Sequence, residues 1–228
     1  MKQFLGVGAC YLDTILSIPH FIAEDEKLRA TEIVRRRGGN CPNILEVLQQ
    51  LLDRRGDIAV ELNLLAVLPH REAPAVQEVA QSLGSGLSLG TCLYRDDHEE
   101  PASSSILKNL SSSSRTIINY NVLPEMTLED LVSVSDSVGP DGIWYHFERR
   151  IPDVTIECMR HLRTQSRDTR ISVEIEKPTR SGLQELVPGG DVVFYSKSWA
   201  TGNGYSDAKP FLVAQAKLAP KACLLCCT

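Results

Sequence analysis

Short apolar segments that alternate with helical patterns are the feature that most restricts the folds open to this chain. The strand-like segments are Phe4–Cys10, Leu62–Leu68, Ile143–Phe147, Arg170–Glu176, Val192–Tyr195 and Ala222–Cys227. The helical patterns between them are Asn43–Leu52, Pro74–Leu83, a segment capped by Thr127, and Val154–Leu162. Parallel strands need long crossover connections, which are usually helices. The alternation therefore predicts an α/β protein with a mostly parallel sheet that helices cover on both faces.

Two stretches interrupt this alternation. Residues 91–120 contain the serine clusters Ser103–Ser105 and Ser111–Ser114, which lie next to short β-patterned segments. A serine cluster most often marks a flexible loop, but a small hairpin lid on the main sheet is also open here. The second stretch, Gly182–Gly190, is interpreted as an ordinary connector.

The charge balance argues against nucleic acid as a main partner. The formal net charge is -5 and the pI is about 5.6, whereas phosphate binding needs a basic face. The run Arg35–Arg37 is the strongest counter-signal, and we interpret it as a solvated strand end. No apolar stretch is long enough to span a bilayer, and the N-terminal segment lacks the features of a signal peptide. We therefore expect a cytoplasmic protein without a membrane partner.

Cysteine usage points to the same compartment. The seven cysteines are scattered, and four of them lie in apolar segments. This pattern predicts reduced, partly buried thiols. Cys223 and Cys226 form a C-x-x-C pair, but no second ligand pair follows at the spacing of a zinc site. A buried strand explains the pair better, so no metal site is predicted.

The first strand ends in a glycine pattern that invites a dinucleotide-binding interpretation. Gly6 and Gly8 match the first two glycines of that fingerprint. The third glycine should stand three residues after Gly8, where the chain has Tyr11. The sequence therefore disfavours a nucleotide-binding oxidoreductase.

Asp13 falls just beyond the C-terminal end of this first predicted strand. Ligands of open α/β sheets bind at that edge. A carboxylate there can accept hydrogen bonds from two adjacent hydroxyl groups, which sugars offer. A turn or helix cap explains Asp13 equally well on this evidence alone.

A second polar cluster precedes the first predicted helix, in the segment RRRGGNCPN. Gly38 and Gly39 allow a close approach to the backbone because they lack a Cβ atom. Pro42 suits the first turn of the helix, and Asn40 and Asn43 each offer an amide donor and acceptor. An Asn cap with a glycine turn would explain only part of this pattern. We favour a pocket for a polyol.

The combination of Asp13 with GGN-x-x-N resembles the N-terminal half of the ribokinase-type (PfkB) carbohydrate kinases, and most of all their ketohexokinase branch. The matching segments, in chain order, are VGACYLDTI, RRGGNCPNILEVL, SSRTIINYN, IWYHFERR, RISVEIEKP and GDVVFYSK. The resemblance covers nearly the whole chain, and the joint occurrence of the segments is more specific than any one of them. It implies a ribokinase-like three-layer α/β/α sandwich, with a mostly parallel central sheet and a small β lid. One domain would span residues 1–228, with the lid drawn from residues 11–40 and 91–121.

The resemblance also implies roles for individual residues. Asp13, Gly39, Asn40 and Asn43 would hold the sugar hydroxyls. Arg115 would lie near the sugar and the transferred phosphate and stabilise its charge. In the family the lid is often also a dimer contact, so a homodimer is implied.

Four further residues match the family. One of them matches less firmly, and the other three match positions on the nucleotide side. Arg150 matches a pocket arginine, although Arg149 stands where the family usually has glycine. Glu174 and Glu176 share a strand face, which in the family lies toward the nucleotide, and Lys197 follows a nearby strand. The resemblance implies ATP and Mg²⁺ as cofactors.

The chain departs from the family in one decisive respect. The Gly-Ala-Gly-Asp motif, which supplies an anion hole and the catalytic aspartate in the family, occurs nowhere in the 228 residues. A general base contributes about 10²–10⁴-fold and an anion-hole donor about 10²–10³-fold to the rate. We therefore expect a C-terminally truncated kinase that transfers the ATP γ-phosphoryl group to a sugar such as fructose weakly or not at all. The alternative is a non-catalytic sugar-binding or regulatory partner of a full-length kinase.

Overall fold

The computed structural model describes residues 2–56, 59–84, 86–139, 142–166 and 168–228. Its strands are β1 (Lys2–Val7), β2 (Tyr11–Ile18), β3 (Glu32–Gly38), β4 (Val60–Leu65), β5 (Val67–Pro69), β6 (Leu87–Ser88), β7 (Leu93–Arg95), β8 (Ser103–Asn109), β9 (Arg115–Tyr120), β10 (Ile143–Phe147), β11 (Arg170–Ile175), β12 (Val192–Tyr195) and β13 (Leu224–Cys227). Its helices are α1 (Asn40–Arg55), α2 (Pro74–Ser82), α3 (Leu128–Val138), α4 (Pro152–Gln165), a 3₁₀ helix (Leu183–Gly189), α5 (Lys197–Gly202) and α6 (Ala208–Ala216).

The central sheet has seven strands in the order β13-β12-β11-β10-β1-β4-β6. Every neighbouring pair in it is parallel. The first strand, β1, therefore lies in the middle, between β10 and β4. The predicted parallel α/β architecture is confirmed.

Two hydrophobic cores lie on opposite faces of this sheet. One core joins Val7, Phe147 and Val173 to the helices that follow β9 in the chain. The other joins Leu62 and Leu64 of β4 to α1 and α2. The alternation of side chains along each strand divides the residues between the two cores.

A separate four-stranded sheet, in the order β3-β2-β8-β9, stands beside the central one. Its pair β2–β8 is parallel, whereas β2–β3 and β8–β9 are antiparallel. Its strands come from the two segments predicted to form the lid, but residues 93–95 instead form β7, which pairs with β5. Whether this sheet moves as a lid stays a prediction.

Two local predictions were wrong, and one alternative is excluded. The segment Gly182–Gly190 is not an ordinary connector, because a 3₁₀ helix runs from Leu183 and buries Leu183, Leu186 and Val187. The arginine run is only partly solvated, since Arg37 is 7% exposed and bonds Glu46 across a distance of 2.5 Å. The residue that caps α1 is Gly39 and not an asparagine.

The helix predicted from Thr127 forms with the cap that its sequence indicates. The Thr127 side chain accepts a hydrogen bond from the backbone of Asp130, whose side chain in turn accepts from the Thr127 backbone. This reciprocal pair fixes the start of α3. Among the helices in the described ranges, none combines the length and the hydropathy that a bilayer crossing requires.

Candidate functional site

Glu148 lies at the point where the carboxyl ends of β1 and β10 meet. Its carboxylate accepts a hydrogen bond of 2.8 Å from the backbone N–H of Ala9, and the residue is 7% exposed. Burial raises the pKa of Glu148 from its usual 4.5 to about 7, although the Ala9 hydrogen bond opposes this shift. A Cβ atom at Gly8 would lie 2.5 Å from the carboxylate, so only glycine fits there. Near neutral pH this carboxyl group can therefore act as a hydrogen-bond donor or as an acceptor.

An open pocket adjoins this carboxyl group. Apolar side chains from β1, β4 and β10 form its floor. Its polar groups come from Asn121, Glu125, Glu148 and Arg150. A largely apolar cavity with a few convergent polar groups, at the carboxyl edge of a parallel sheet, is the usual form of a small-molecule site.

Arg150, predicted as a pocket residue, lines this cavity but is already held on two sides. Its guanidinium donates a hydrogen bond of 2.6 Å to the hydroxyl oxygen of Tyr11 and forms an ion pair with Glu125. These contacts tie the segment before α3 and the start of β2 to the end of β10. Arg150 therefore braces the cavity wall in this conformation.

Asp13 lies within β2 of the four-stranded sheet, and not directly beyond the end of β1 as predicted, and it is 9% exposed. A Cβ atom at Gly38 would fall within 3.0 Å of its carboxylate. No described residue makes a side-chain hydrogen bond or an ion pair with this carboxylate. With little exposure and no such partner, its oxygens are available to a ligand.

The glycine pair of the RRRGGN segment serves the protein's own packing. A Cβ atom at Gly39 would approach the carbonyl oxygen of Ala9 to less than 3.0 Å, and the backbone of Gly39 has a φ of 107°. The sequence predicted that a ligand would approach these glycines closely. In the structure Asp13 approaches Gly38, and Ala9 approaches Gly39. Through these contacts the glycines join the Asp13 surface to the Ala9–Glu148 edge of the cavity.

The two predicted asparagines, Asn40 and Asn43, both have partners within the protein. The side-chain amide of Asn40 donates a hydrogen bond of 2.8 Å to Glu174. The amide oxygen of Asn43 accepts one of 3.3 Å from Arg37. Each asparagine therefore keeps one half of its amide free, the oxygen of Asn40 and the nitrogen of Asn43.

Arg115 is not brought to this site. It opens β9 opposite Lys108, whereas the strand position level with Asp13 is Asn119, which pairs with Ser104. Four residues separate these levels, which corresponds to about 13 Å along a strand. Arg115 is fully solvent-facing in this conformation.

The predicted nucleotide-side residues are held by protein partners or exposed in this conformation. Glu174 contacts Asn40 and His146, and Glu176 forms an ion pair with Arg149. Lys197 is exposed. Within the described part of the chain, no group of His, Cys, Asp and Glu side chains could hold a metal ion.

Sequence reasoning missed Glu148 and Tyr11. Glu148 directly follows the apolar run of β10, which is the position that places a side chain at the ligand edge of a parallel sheet. That position was a usable signal. Tyr11 offered no such signal, because its partner Arg150 lies 139 residues away.

Comparison with known proteins connects this geometry to a family. No family model matches the chain. Ketohexokinase of Mus musculus is 31% identical over 214 residues, which cover 91% of this chain and 67% of the relative. The chain belongs to the ketohexokinase family. Membership of this family, predicted from the sequence segments, is confirmed.

Solved structures agree on the fold. Ribokinase from Giardia lamblia superposes with a TM-score of 0.77 at 13% identity, over 99% of this chain and 72% of that one. Arabidopsis thaliana ribokinase, solved with ribose and ATP, gives 0.72 at 16% identity, over 98% and 70%. Phosphofructokinase-2 from Escherichia coli, solved with fructose-6-phosphate, gives 0.70 at 11% identity, over 98% and 72%. The ribokinase-like fold predicted from the sequence is confirmed.

Proposed function

We propose that the chain binds a ketose sugar such as fructose beside Asp13, as a sugar kinase of the ketohexokinase type. The observation that supports this most is the Asp13 carboxylate, which is nine-tenths buried and has no protein partner in the described residues. Sugar hydroxyls would supply the missing donors. The membership in the ketohexokinase family makes a sugar the expected occupant.

The neighbouring groups suit the same ligand. The free amide oxygen of Asn40, the free amide nitrogen of Asn43 and the carboxyl group of Glu148 offer both acceptors and donors. None of these groups is a permanent cation. Hydroxyl groups match such a set better than an anion does, since each hydroxyl both donates and accepts.

Fructose binding can be tested by calorimetry and thermal unfolding of the purified chain. A sugar at ten times its Kd stabilises the folded state by about 1.4 kcal/mol, which raises Tm by about 3–6 °C in a domain of this size. We expect Asp13→Asn to abolish this rise. The matched control is Asp96→Asn, because Asp96 is exposed on a remote loop. Absence of a fructose-dependent rise in the wild type would refute the proposal.

The proposed reaction is transfer of the ATP γ-phosphoryl group to a sugar hydroxyl, as in fructose to fructose 1-phosphate. We expect the rate to be very low, because Glu174 and Glu176 are engaged by protein partners and no catalytic aspartate motif is present. ADP formation with Mg-ATP, with and without fructose, measures this directly. Rapid fructose-dependent ADP release would show that another residue supplies the base.

The second candidate is a non-catalytic sugar-binding partner of a full-length kinase or of another copy. Glu174 and Glu176 are each engaged by a protein side chain, which favours this non-catalytic candidate over an efficient enzyme. The edge strands β3 and β9 of the four-stranded sheet also expose apolar side chains, namely Ile33 at 57%, Ile117 at 44% and Ile118 at 60%. Exposed apolar side chains on strand edges are typical of pairing surfaces.

Sedimentation of the chain tests this pairing, and we propose a homodimer through the four-stranded sheet. Ile118→Lys should convert the dimer to a monomer. Val213→Lys, at an exposed apolar position on α6, is the matched charge control. A monomeric wild type at micromolar concentration contradicts the dimer.

The thiols bear on the proposed location. All seven cysteines are free, and Cys10, Cys41, Cys92 and Cys158 are buried. Unpaired thiols are typical of reducing compartments. The cytosol is therefore the location that we propose.

A further inference from the structure

A series of polar side chains, buried at Ser172 and His146, runs across the central sheet to Asn40. Trp144 Nε1 lies 2.8 Å from Ser172 Oγ, which lies 2.8 Å from His146 Nδ1. His146 Nε2 lies 3.6 Å from Glu174, whose other oxygen accepts the 2.8 Å hydrogen bond from Asn40. The register explains the alignment, because β10 and β11 pair in parallel with His146 opposite Ser172.

The hydrogen-bond donors in this series of side chains fix which atom donates and which accepts at each contact. Trp144 can only donate, so Ser172 Oγ accepts from it. The hydroxyl hydrogen of Ser172 then points to Nδ1 of His146, its one other polar side-chain partner in the described residues. Nδ1 is therefore an acceptor, and the ring hydrogen lies on Nε2, which is 3.6 Å from Glu174 and has no closer partner in the described residues.

Water does not compete along this path. Ser172 is 1% exposed and His146 is 3% exposed. Burial raises the pKa of Glu174, but the adjacent His146 and Asn40 side chains lower it by more. The resulting pKa lies below the usual value. Glu174 is thus a carboxylate at neutral pH, held between an imidazole N–H and an amide N–H. At 3.6 Å the imidazole contact is an electrostatic attraction more than a full hydrogen bond.

At the last member of this series of side chains, the contact with Glu174 determines which half of the Asn40 amide is free. An amide group has a donor side and an acceptor side, and Glu174 takes the donor side. The oxygen of Asn40 then has no donor among the described residues. A carboxylate that rotated away would allow the amide to turn over and present its nitrogen instead.

We infer that His146 is a positioning residue which, through Glu174, fixes the side chain of Asn40 with its oxygen free to accept a hydrogen bond from a sugar hydroxyl. This inference rests on the proposed function, which makes Asn40 a sugar ligand. His146 also packs between the rings of Phe4 and Phe194, at centroid distances of 6.1 and 5.9 Å. The test must therefore separate positioning from packing.

Two substitutions of His146 make that separation. In His146→Gln the side-chain nitrogen stands close to the position of Nε2 and can still donate to Glu174. In His146→Asn the shorter side chain reaches only Ser172. Both remove the ring, so both lose the aromatic packing. We expect the Kd for fructose to stay within about two-fold of the wild type in His146→Gln and to weaken about ten-fold in His146→Asn. Equal Kd values in the wild type and His146→Asn overturn the inference.

Nuclear magnetic resonance gives a readout that does not need the sugar. We expect nitrogen shifts of an Nε2–H tautomer for His146, and slow solvent exchange of the Asn40 amide protons in the wild type and in His146→Gln. The exchange should become fast in His146→Asn, while thermal unfolding verifies that each variant is folded. An Nδ1–H tautomer, or unchanged Asn40 exchange in His146→Asn, overturns the inference. If the wild type fails to bind fructose, the proposed function fails, and these amide signals still decide the role of His146.

Discussion

Replacing Gly39 by alanine tests the packing that joins the Asp13 surface to the cavity edge. Gly39 has a φ of 107°, a conformation that costs an L-residue about 1–3 kcal/mol. The new Cβ would also meet the carbonyl oxygen of Ala9 at less than 3.0 Å. This oxygen belongs to the backbone, so no side-chain rotation relieves the contact, and overpacking of this kind costs about 1–3 kcal/mol more.

The expected total loss is about 4 kcal/mol, which lowers Tm by about 8–16 °C in a domain of this size. Thermal unfolding followed by circular dichroism measures this value. The matched control is Gly204→Ala, because Gly204 has a φ of 85° but nothing within 4 Å of the added Cβ. The control should lose only the conformational part, about 1–3 kcal/mol. If both variants lose the same stability, the proposed contact between Gly39 and Ala9 does not exist.

Three further predictions follow from individual side chains. Because burial raises the pKa of Glu148 from 4.5 to about 7, the folded state holds an extra proton between these values, and stability falls by up to about 3 kcal/mol as pH rises through 7. Glu148→Gln should remove this fall, so the free energy of unfolding in urea of the variant relative to the wild type should increase from about pH 5 to 8. A difference between the two proteins that does not change with pH contradicts the burial of Glu148. Burial raises the pKa of Cys10 to about 12, so maleimide at neutral pH should label the exposed Cys223 first, and early labelling of Cys10 by mass spectrometry would show that its site opens. Thr127→Ala should cost about 1 kcal/mol in chemical unfolding by removing the α3 cap, whereas no change would mean that water replaces it.

The sequence predicts the central sheet well because its strands are buried and alternate with helices. Ile143–Phe147 and Val192–Tyr195 have the predicted bounds. Strand β9 was indicated only as a short β-patterned segment of a possible lid, since every one of its residues is exposed and no apolar alternation results. The helices α5 and α6 were missed as well, and α5 has only six residues, which is too short for a periodic pattern.

The candidate site was predictable only where its residues are close in sequence. Asp13 and Gly39 were found as parts of local patterns. Their setting was not, because Glu148 reaches Ala9 across 139 positions and Glu174 reaches Asn40 across 134. The sequence alone gives no measure of such long-range hydrogen bonds. It therefore could not show that protein atoms engage Asn40 and fill the space around the glycines.

The central position of β1 in the sheet has a consequence for folding during synthesis. Both neighbours of β1 are made later than it, and β10 is made last, at Ile143–Phe147. A ribosome adds about 5–20 residues each second, so the first strand waits for many seconds with the backbone N–H and C=O groups of one edge unpaired. Closing so long a loop is also slow. The cavity edge therefore forms late, when Glu148 at the end of β10 meets Ala9.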